Sequence, residues 1–202
     1  MLKTLDDSGR NTWASKVKNM LYEHGFGYVW LAQEVGNIEQ FVLTFKLRLR
    51  DCGWQRIHGF IDSSPKTLHY KHFKTMLNPE RYLSMNMSYK HKKVLANFRT
   101  SGHSLEIEKG RHVGVERELR FCKYCLNRNA CIVEDEFHFL LICPLYSNVR
   151  DVYLNHLISN RAITDHLFYS LLSSNEDGCI HNIAKYIFES CKLRDDFNKS
   201  YM

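Results

Sequence analysis

The sequence predicts a mainly α fold: a helical bundle that carries one small module of different texture. Apolar residues recur at helical spacing through most of the chain. Gly 10 and Pro 3 are low counts for 202 residues, which argues against a turn-rich sandwich or a disordered tail. A hydrophobic content of 44% with 13% aromatics is enough to bury a core.

Asn11 or Thr12 can cap a first helix that carries Trp13, Val17, Met20, Leu21 and His24 and is stopped by Gly25 and Gly27. Asn37 can cap a second, with Ile38, Phe41, Val42, Phe45 and Leu49 on one stripe, Lys46, Arg48 and Arg50 beside it, and Gly53 at its end. Pro65 opens a third bearing Leu68, His72, Phe73, Met76 and Leu77, closed by Asn78-Pro79. Ser88 can cap a fourth, with His91, Val94, Leu95 and Phe98 inward and Lys90, Lys93 and Asn97 on another face. Residues 101–133 alternate in short bursts (Leu105, Ile107, then Leu119, Phe121) and read as loop and short strand. Helix resumes at Glu134, breaks at Pro144 and continues over 146–158. Thr164 or Asp165 can cap a short helix to Leu172, and 173–178 is a polar linker. The last helix sets Ile180, Ile183, Ala184, Ile187, Phe188 and Cys191 on one side. The expected organisation is a bundle over 1–100, a separate module over 101–157, and C-terminal helices over 158–202 that pack on the rest.

No apolar run reaches the ~18–20 residues of a membrane helix. The first ten residues hold acids where a secretory peptide needs an apolar stretch. The expectation is an intracellular chain, nuclear or cytoplasmic, with no membrane partner. Its seven cysteines are an odd number and read as metal ligands or core thiols, not as a disulfide framework. Charge is uneven. Residues 65–131 hold 14 of the 28 basic side chains and only 5 of the 22 acidic ones, whereas 132–202 hold 6 and 10. A strongly basic middle third points to a polyanion partner.

The most specific feature is Cys122-x2-Cys125-x12-His138-x4-Cys143. Zinc takes four soft or borderline ligands in a tetrahedron, and pairs a few residues apart on turns supply them. The module is therefore expected to be a zinc-stapled hairpin plus helix. Leu126-Asn127-Arg128-Asn129 is turn chemistry suited to a hairpin, and Glu134, Asp135 and Glu136 suit a helix start. On a continuous α-helix His138 and Cys143 would stand ~140° apart. Pro144 pushes Cys143 out of helical geometry, so its sulfur can swing back. The plainer alternative is a set of core thiols and a satisfied histidine. Cys131 can also replace one ligand, while Cys52, Cys179 and Cys191 read as core or surface residues.

The stretches FRTSGHSLEIEKGRHVGVERELRFCKYC and EDEFHFLLICPLYSNVR, within 98–150, carry a resemblance. Arg99 lies on a helix. It is followed by Gly102-x-His103-x-Leu105-x-Ile107-Glu108-x-Gly110-Arg111, then Arg120 before the cysteine pair. Glu134-x3-His138-x4-Cys143-Pro144 comes next, with Tyr146 and Arg150 behind. This order resembles the C-terminal region of non-LTR (LINE-type) retrotransposon reverse transcriptases, which ends in a CCHC zinc-binding segment. The likeness covers about a quarter of the chain and implies bound Zn2+ and an RNA or DNA partner. The polymerase of that family needs a Tyr-x-Asp-Asp-like turn, which is missing here, and its endonuclease domain does not fit in this length. The resemblance thus implies a tail fragment of such an element, or a host gene derived from one.

No P-loop, Gly-x-Ser-x-Gly or His-Glu-x-x-His is present, and the zinc deaminase order is reversed. A restriction-like nuclease remnant built on Asp151 and Asp165 is the surviving enzymatic alternative, although Asp165 also suits a helix cap. The expected function is non-catalytic nucleic-acid binding, with no small-molecule substrate. The candidate contacts are Lys90, Lys92, Lys93, Arg99, Arg111, Arg117, Arg120, Lys123, Tyr124 and Arg128. A protein-interaction module in which zinc is structural is the runner-up. A third reading is that the gene makes no functional protein.

Overall fold

The computed structural model describes residues 12–74, 76 and 78–200, and these are mainly helical. Asn11, Leu77 and the first ten residues, on which some expectations rest, lie outside the described residues. The chain divides into two compact units between Phe60 and Ile61.

The first unit contains α1 (Trp13–Glu23), α2 (Gly27–Ala32) and most of α3 (Ile38–Ser63). The Thr12 hydroxyl accepts the Ser15 N–H at 3.3 Å and caps α1. Gly25 ends that helix at φ +83°, a conformation that favours glycine. Gly27 does more than stop α1. It opens α2, where a Cβ would stand 2.8 Å from the Tyr22 ring. Ala14, Leu21, Phe26, Val29 and Trp30 form the small core, with Phe41 and Phe45 packed against it. Trp13, Met20 and Ile38, expected inward, are exposed. The buried arc of α1 is centred on Ala14, Val17 and Leu21, and Trp13 and Met20 each lie one residue, ~100°, away from it. The second correction is to α3, which does not end at Gly53. A helix-interior glycine costs only about 1 kcal/mol against alanine, so the helix continues through Gly53 and Gly59. It ends where Ser64, the residue before Pro65, turns extended.

The second unit begins with two 3-10 turns, Pro65–Thr67 and Tyr70–His72, in place of the expected third α-helix. Pro65 has no N–H for the Ile61 carbonyl four residues before it, and the Thr67 hydroxyl donates to that carbonyl instead, at 2.6 Å. Then come α4 (Arg81–Ser84), α5 (Tyr89–Arg99), α6 (Glu106–His112), a 3-10 turn (Arg117–Leu119) and α7 (Lys123–Leu126). A π-turn (His138–Ile142) and a 3-10 turn (Pro144–Tyr146) lead into α8 (Ser147–Tyr153), α9 (Asn155–Ile158), α10 (Asp165–Leu172) and α11 (Asp177–Ser200).

Helix α11 is the spine of this unit and packs along α5 and α8. Ile180, Ile183, Ala184 and Ile187 are buried as the sequence pattern requires, and so are Leu95 and Phe98 of α5. One core runs from Tyr82 through the cysteine pair to Ile187. The expected boundaries near 100 and 157 therefore fall inside a continuous unit.

The segment 101–133 also departs from expectation. Its only pairing among the described residues is an isolated antiparallel bridge between Phe121 and Val133, and 106–112 is helical. The apparent alternation of Leu105 and Ile107 is an N-cap residue followed by an inward first-turn residue. Glu106 and Glu108 in the first turn and Lys109, Arg111 and His112 in the last complement the helix dipole.

Candidate metal centre

Cys122, Cys125, His138 and Cys143 converge, as their spacing predicts. Their ligand atoms lie within 4.8 Å of one another, and all four residues are buried. Sulfur to sulfur, Cys143 stands 3.8 Å from Cys122 and 3.9 Å from Cys125, while the Cys125 sulfur is 3.4 Å from His138 Nε2. Metal–sulfur bonds of ~2.3 Å in a tetrahedron set sulfurs ~3.8 Å apart, with the sulfur–nitrogen edge slightly shorter. These three distances match edges of such a tetrahedron, and the four donors lie close enough to hold a metal ion.

Local folding explains how each donor gets there. Cys122 stands at the N-cap of α7, so Cys125 returns to the same side one turn later. Cys122 donates its N–H to the Ile132 carbonyl at 2.8 Å, which closes the loop. The turn after Cys125 uses Asn129 at φ +59°, in line with the turn residues seen in the sequence. The angular problem between His138 and Cys143 is solved by a π-turn: Cys143 donates its N–H to the His138 carbonyl at 2.8 Å, an i to i−5 bond. Cys143 itself is non-helical, as a pre-proline residue must be. The Asp135 carboxylate caps the start, accepting the His138 N–H at 2.8 Å. Cys131 is exposed and stands outside the cluster; Cys179 is buried in the core, and Cys52 and Cys191 are half-buried.

The ionisation of the three sulfurs is linked. Hydrogen bonding from Cys143, helped by His138 and the Cys125 N–H, holds the Cys122 thiol down to about 4. Burial and the Cys122 charge push Cys125 up to about 11. The bond to Cys122, then burial, pushes Cys143 far above the ordinary thiol range. One sulfur ionises at the expense of the other two. A divalent ion at the centre allows all three to be thiolates. Nε2 of His138 faces the sulfurs, while its Nδ1 is buried with no hydrogen-bond partner among the described residues.

A second set of contacts holds the ligand loops. Arg150 donates to the Leu140 carbonyl and to the Cys143 carbonyl, both at 3.0 Å. The Tyr186 hydroxyl of α11 donates to the Phe139 carbonyl at 2.6 Å. Glu136 accepts from His103 at 2.8 Å and Ser101 at 3.0 Å, with His69 at 3.3 Å. Burial alone would raise the Glu136 pKa. The two histidines outweigh it and hold the carboxyl far below its usual range. Neither His69 nor Arg194, which grips Glu134, stood out in the sequence. They lie 67 and 60 residues from their partners, beyond any local spacing rule.

The candidate nucleic-acid residues separate into two groups. Lys90 and Lys93 on α5, and Arg128 beside the cysteine pair, are exposed, and no carboxylate among the described residues pairs with them. Lys123 and Arg117 are half-exposed and lie only loosely near carboxylates, 3.7 Å from Glu106 and 3.9 Å from Asp135. The Arg128 guanidinium covers the Tyr124 ring at 3.7 Å, and that ring rests edge-on against Phe197.

The remaining residues turn inward. Arg99, expected on the binding face, is buried: it pairs with Glu80 at 2.7 Å, donates to the Leu172 carbonyl and lies over Phe73 and Tyr82. Arg111 forks onto buried Glu108 at 2.6 Å. Arg120 donates to the Ile107 and Val115 carbonyls. Lys92 is half-buried and donates to the Leu83 carbonyl at 2.8 Å. Asp151 and Asp165 are exposed, and Thr164, not Asp165, caps α10. Neither aspartate belongs to a cluster of three or more ligating side chains among the described residues.

Compared with known protein families, curated proteins and solved structures, the chain matches none.

Proposed function

We propose that this chain is a non-catalytic nucleic-acid-binding module whose fold is stapled by Zn2+, similar to the tail of a non-LTR retrotransposon reverse transcriptase. The observation that carries it is the buried cluster of three sulfurs and one imidazole, with the Arg128–Tyr124 pair beside it. Three thiolates and a histidine in tetrahedral array favour zinc over magnesium or calcium, which take oxygen ligands. The ion would be held by Cys122, Cys125, His138 and Cys143. Its four protein ligands leave no open position for substrate, which fits a structural role. Lys90, Lys93, Lys123 and Arg128 would meet phosphates and release counterions, and Tyr124 with Arg128 offers a flat surface to an unpaired base.

The test is binding of a labelled single-stranded RNA or DNA of about 20 nucleotides to the zinc-loaded protein across a salt series. Binding that weakens with salt, and a shallower slope of log K against log salt for Lys90→Glu with Lys93→Glu, is the expected result. No affinity at low salt for either nucleic acid would overturn the reading.

A further inference from the structure

A groove of about 560 Å³ lies between α6, the loop after it and α7. The apolar lining of its floor is mainly aliphatic, with Phe121 and His112 beside it. Val113, Leu119 and Leu126 are 75%, 59% and 45% exposed, and Val115 lies beside them. A contiguous apolar surface of this kind marks a place where another molecule sits.

The walls are positive. Lys109, Lys123 and buried Arg194 share a single carboxylate, Glu106, at 3.9, 3.7 and 3.1 Å. Arg194 also engages Glu134, so the two lysines on the groove side keep an excess of charge. Arg120 adds a fixed guanidinium, because its partners are the neutral Ile107 and Val115 carbonyls. Its stem packs over Gly110, 2.6 Å from where a Cβ would stand, and three hydrogen bonds hold the guanidinium in place.

These features select a class of partner. Unpaired bases stack best on flat rings, whereas the exposed apolar side chains here are branched aliphatics; Phe121 is half-buried and His112 is the other ring in the lining. Strand addition needs free backbone donors. The N–H groups of Val113, Val115, Leu119, Phe121 and Cys122 already donate within the chain. What remains is recognition by side chains: leucine-like groups on the floor and carboxylates against Lys109 and Lys123. An amphipathic helix supplies both from one face.

We propose that this groove docks an acidic, leucine-bearing helical segment of a partner protein. Lys123 is shared with the proposed nucleic-acid contacts, whereas Lys90, Lys93 and Arg128 lie outside the groove lining, so the proposal does not depend on their binding nucleic acid. It does require the metal loop, because Phe121, Lys123 and Leu126 flank Cys122 and Cys125.

The probe is a fluorescein-labelled helical peptide of glutamate, alanine and leucine, with leucines at i, i+3, i+4 and i+7, read by fluorescence anisotropy on the zinc-loaded full chain. Leu119→Glu is expected to weaken binding about tenfold or more. Lys109→Glu with Lys123→Glu should weaken it most at low salt. Metal content and circular dichroism of each variant establish that it is folded. Amide chemical-shift changes on the unaltered protein, expected at 109–126, provide a readout that needs no variant. Binding equal to that of a peptide with leucines replaced by serine would overturn the proposal. So would displacement of the peptide by single-stranded DNA with loss of DNA affinity in Leu119→Glu, which would give the groove to nucleic acid. A dimer of the chain that Leu119→Glu dissolves would also overturn it and make the groove a contact between copies.

Discussion

Arg194 of α11 holds Glu134, at the entrance to the His138 loop, with two 2.7 Å hydrogen bonds, and both side chains are almost fully buried. A carboxylate and a guanidinium removed from water depend on each other. Taking away one partner leaves an uncompensated charge and costs about 3–5 kcal/mol. Arg194→Met is therefore expected to lower the urea midpoint strongly. Arg194→Lys is expected to recover little, because an ammonium cannot reproduce the fork.

If zinc is bound as proposed, its removal is expected to unfold the 120–145 region first. Zinc-ligand sets of this kind carry roughly 10–16 kcal/mol of apparent binding energy at neutral pH. Cys122→Ser should release the ion into a colorimetric chelator and quench the near-UV signal. Cys131→Ser and Cys52→Ser, outside the cluster, should retain one ion per chain.

Glycines within helices are expected to respond in opposite directions. Nothing lies within 4 Å of a Cβ built on Gly53 or Gly59 in α3. Gly53→Ala and Gly59→Ala should each stabilise that helix by about 0.5–1 kcal/mol. Gly110→Ala should destabilise by about 1–3 kcal/mol, since its Cβ would stand 2.6 Å from the Arg120 stem, which three hydrogen bonds hold in place. Thermal melts of the three variants separate the two cases.

Acid is expected to weaken the Glu80 cluster. Burial pushes the Glu80 carboxyl up, but hydrogen bonds from Lys74 and Tyr70 and the Arg99 charge outweigh it and hold the pKa below the ordinary 4.5. A lowered folded pKa means this stabilisation is whole above 4.5 and is lost as pH falls through the folded value. Glu80→Gln should therefore flatten the dependence of unfolding free energy on pH below about 5.

The helices that the sequence makes legible are those with a cap and a long buried stripe, such as α5 behind Ser88 and α11 with its run of isoleucines. The four ligands are legible too, because a chelate must be built from short spacings. The 65–77 segment misleads, since the Thr67 hydroxyl caps the Ile61 carbonyl that Pro65 leaves open and also bonds the Ser64 carbonyl, closing a short 3-10 turn. Arg99 misleads for another reason. Charge patterning sees a cation near other cations, whereas the Glu80 and Leu172 groups that draw it inward are 19 and 73 residues away. The π-turn joins His138 to Cys143 through a backbone bond that no side-chain periodicity encodes.

The four ligands all lie between residues 122 and 143, while the groups that seat their loops, Tyr186 and Arg194, belong to α11. A ribosome delivers the chain in that order. If the cluster holds zinc as proposed, the nascent loop can capture that ion while α11 is still unmade, because closing a short ring costs little chain entropy. The later helix then meets a finished surface and has only to lay its isoleucine face and one arginine against it. On that reading, starving a cell of zinc would remove the template during synthesis. Full-length chains would then accumulate with α11 unseated and its apolar face open to chaperones and proteases.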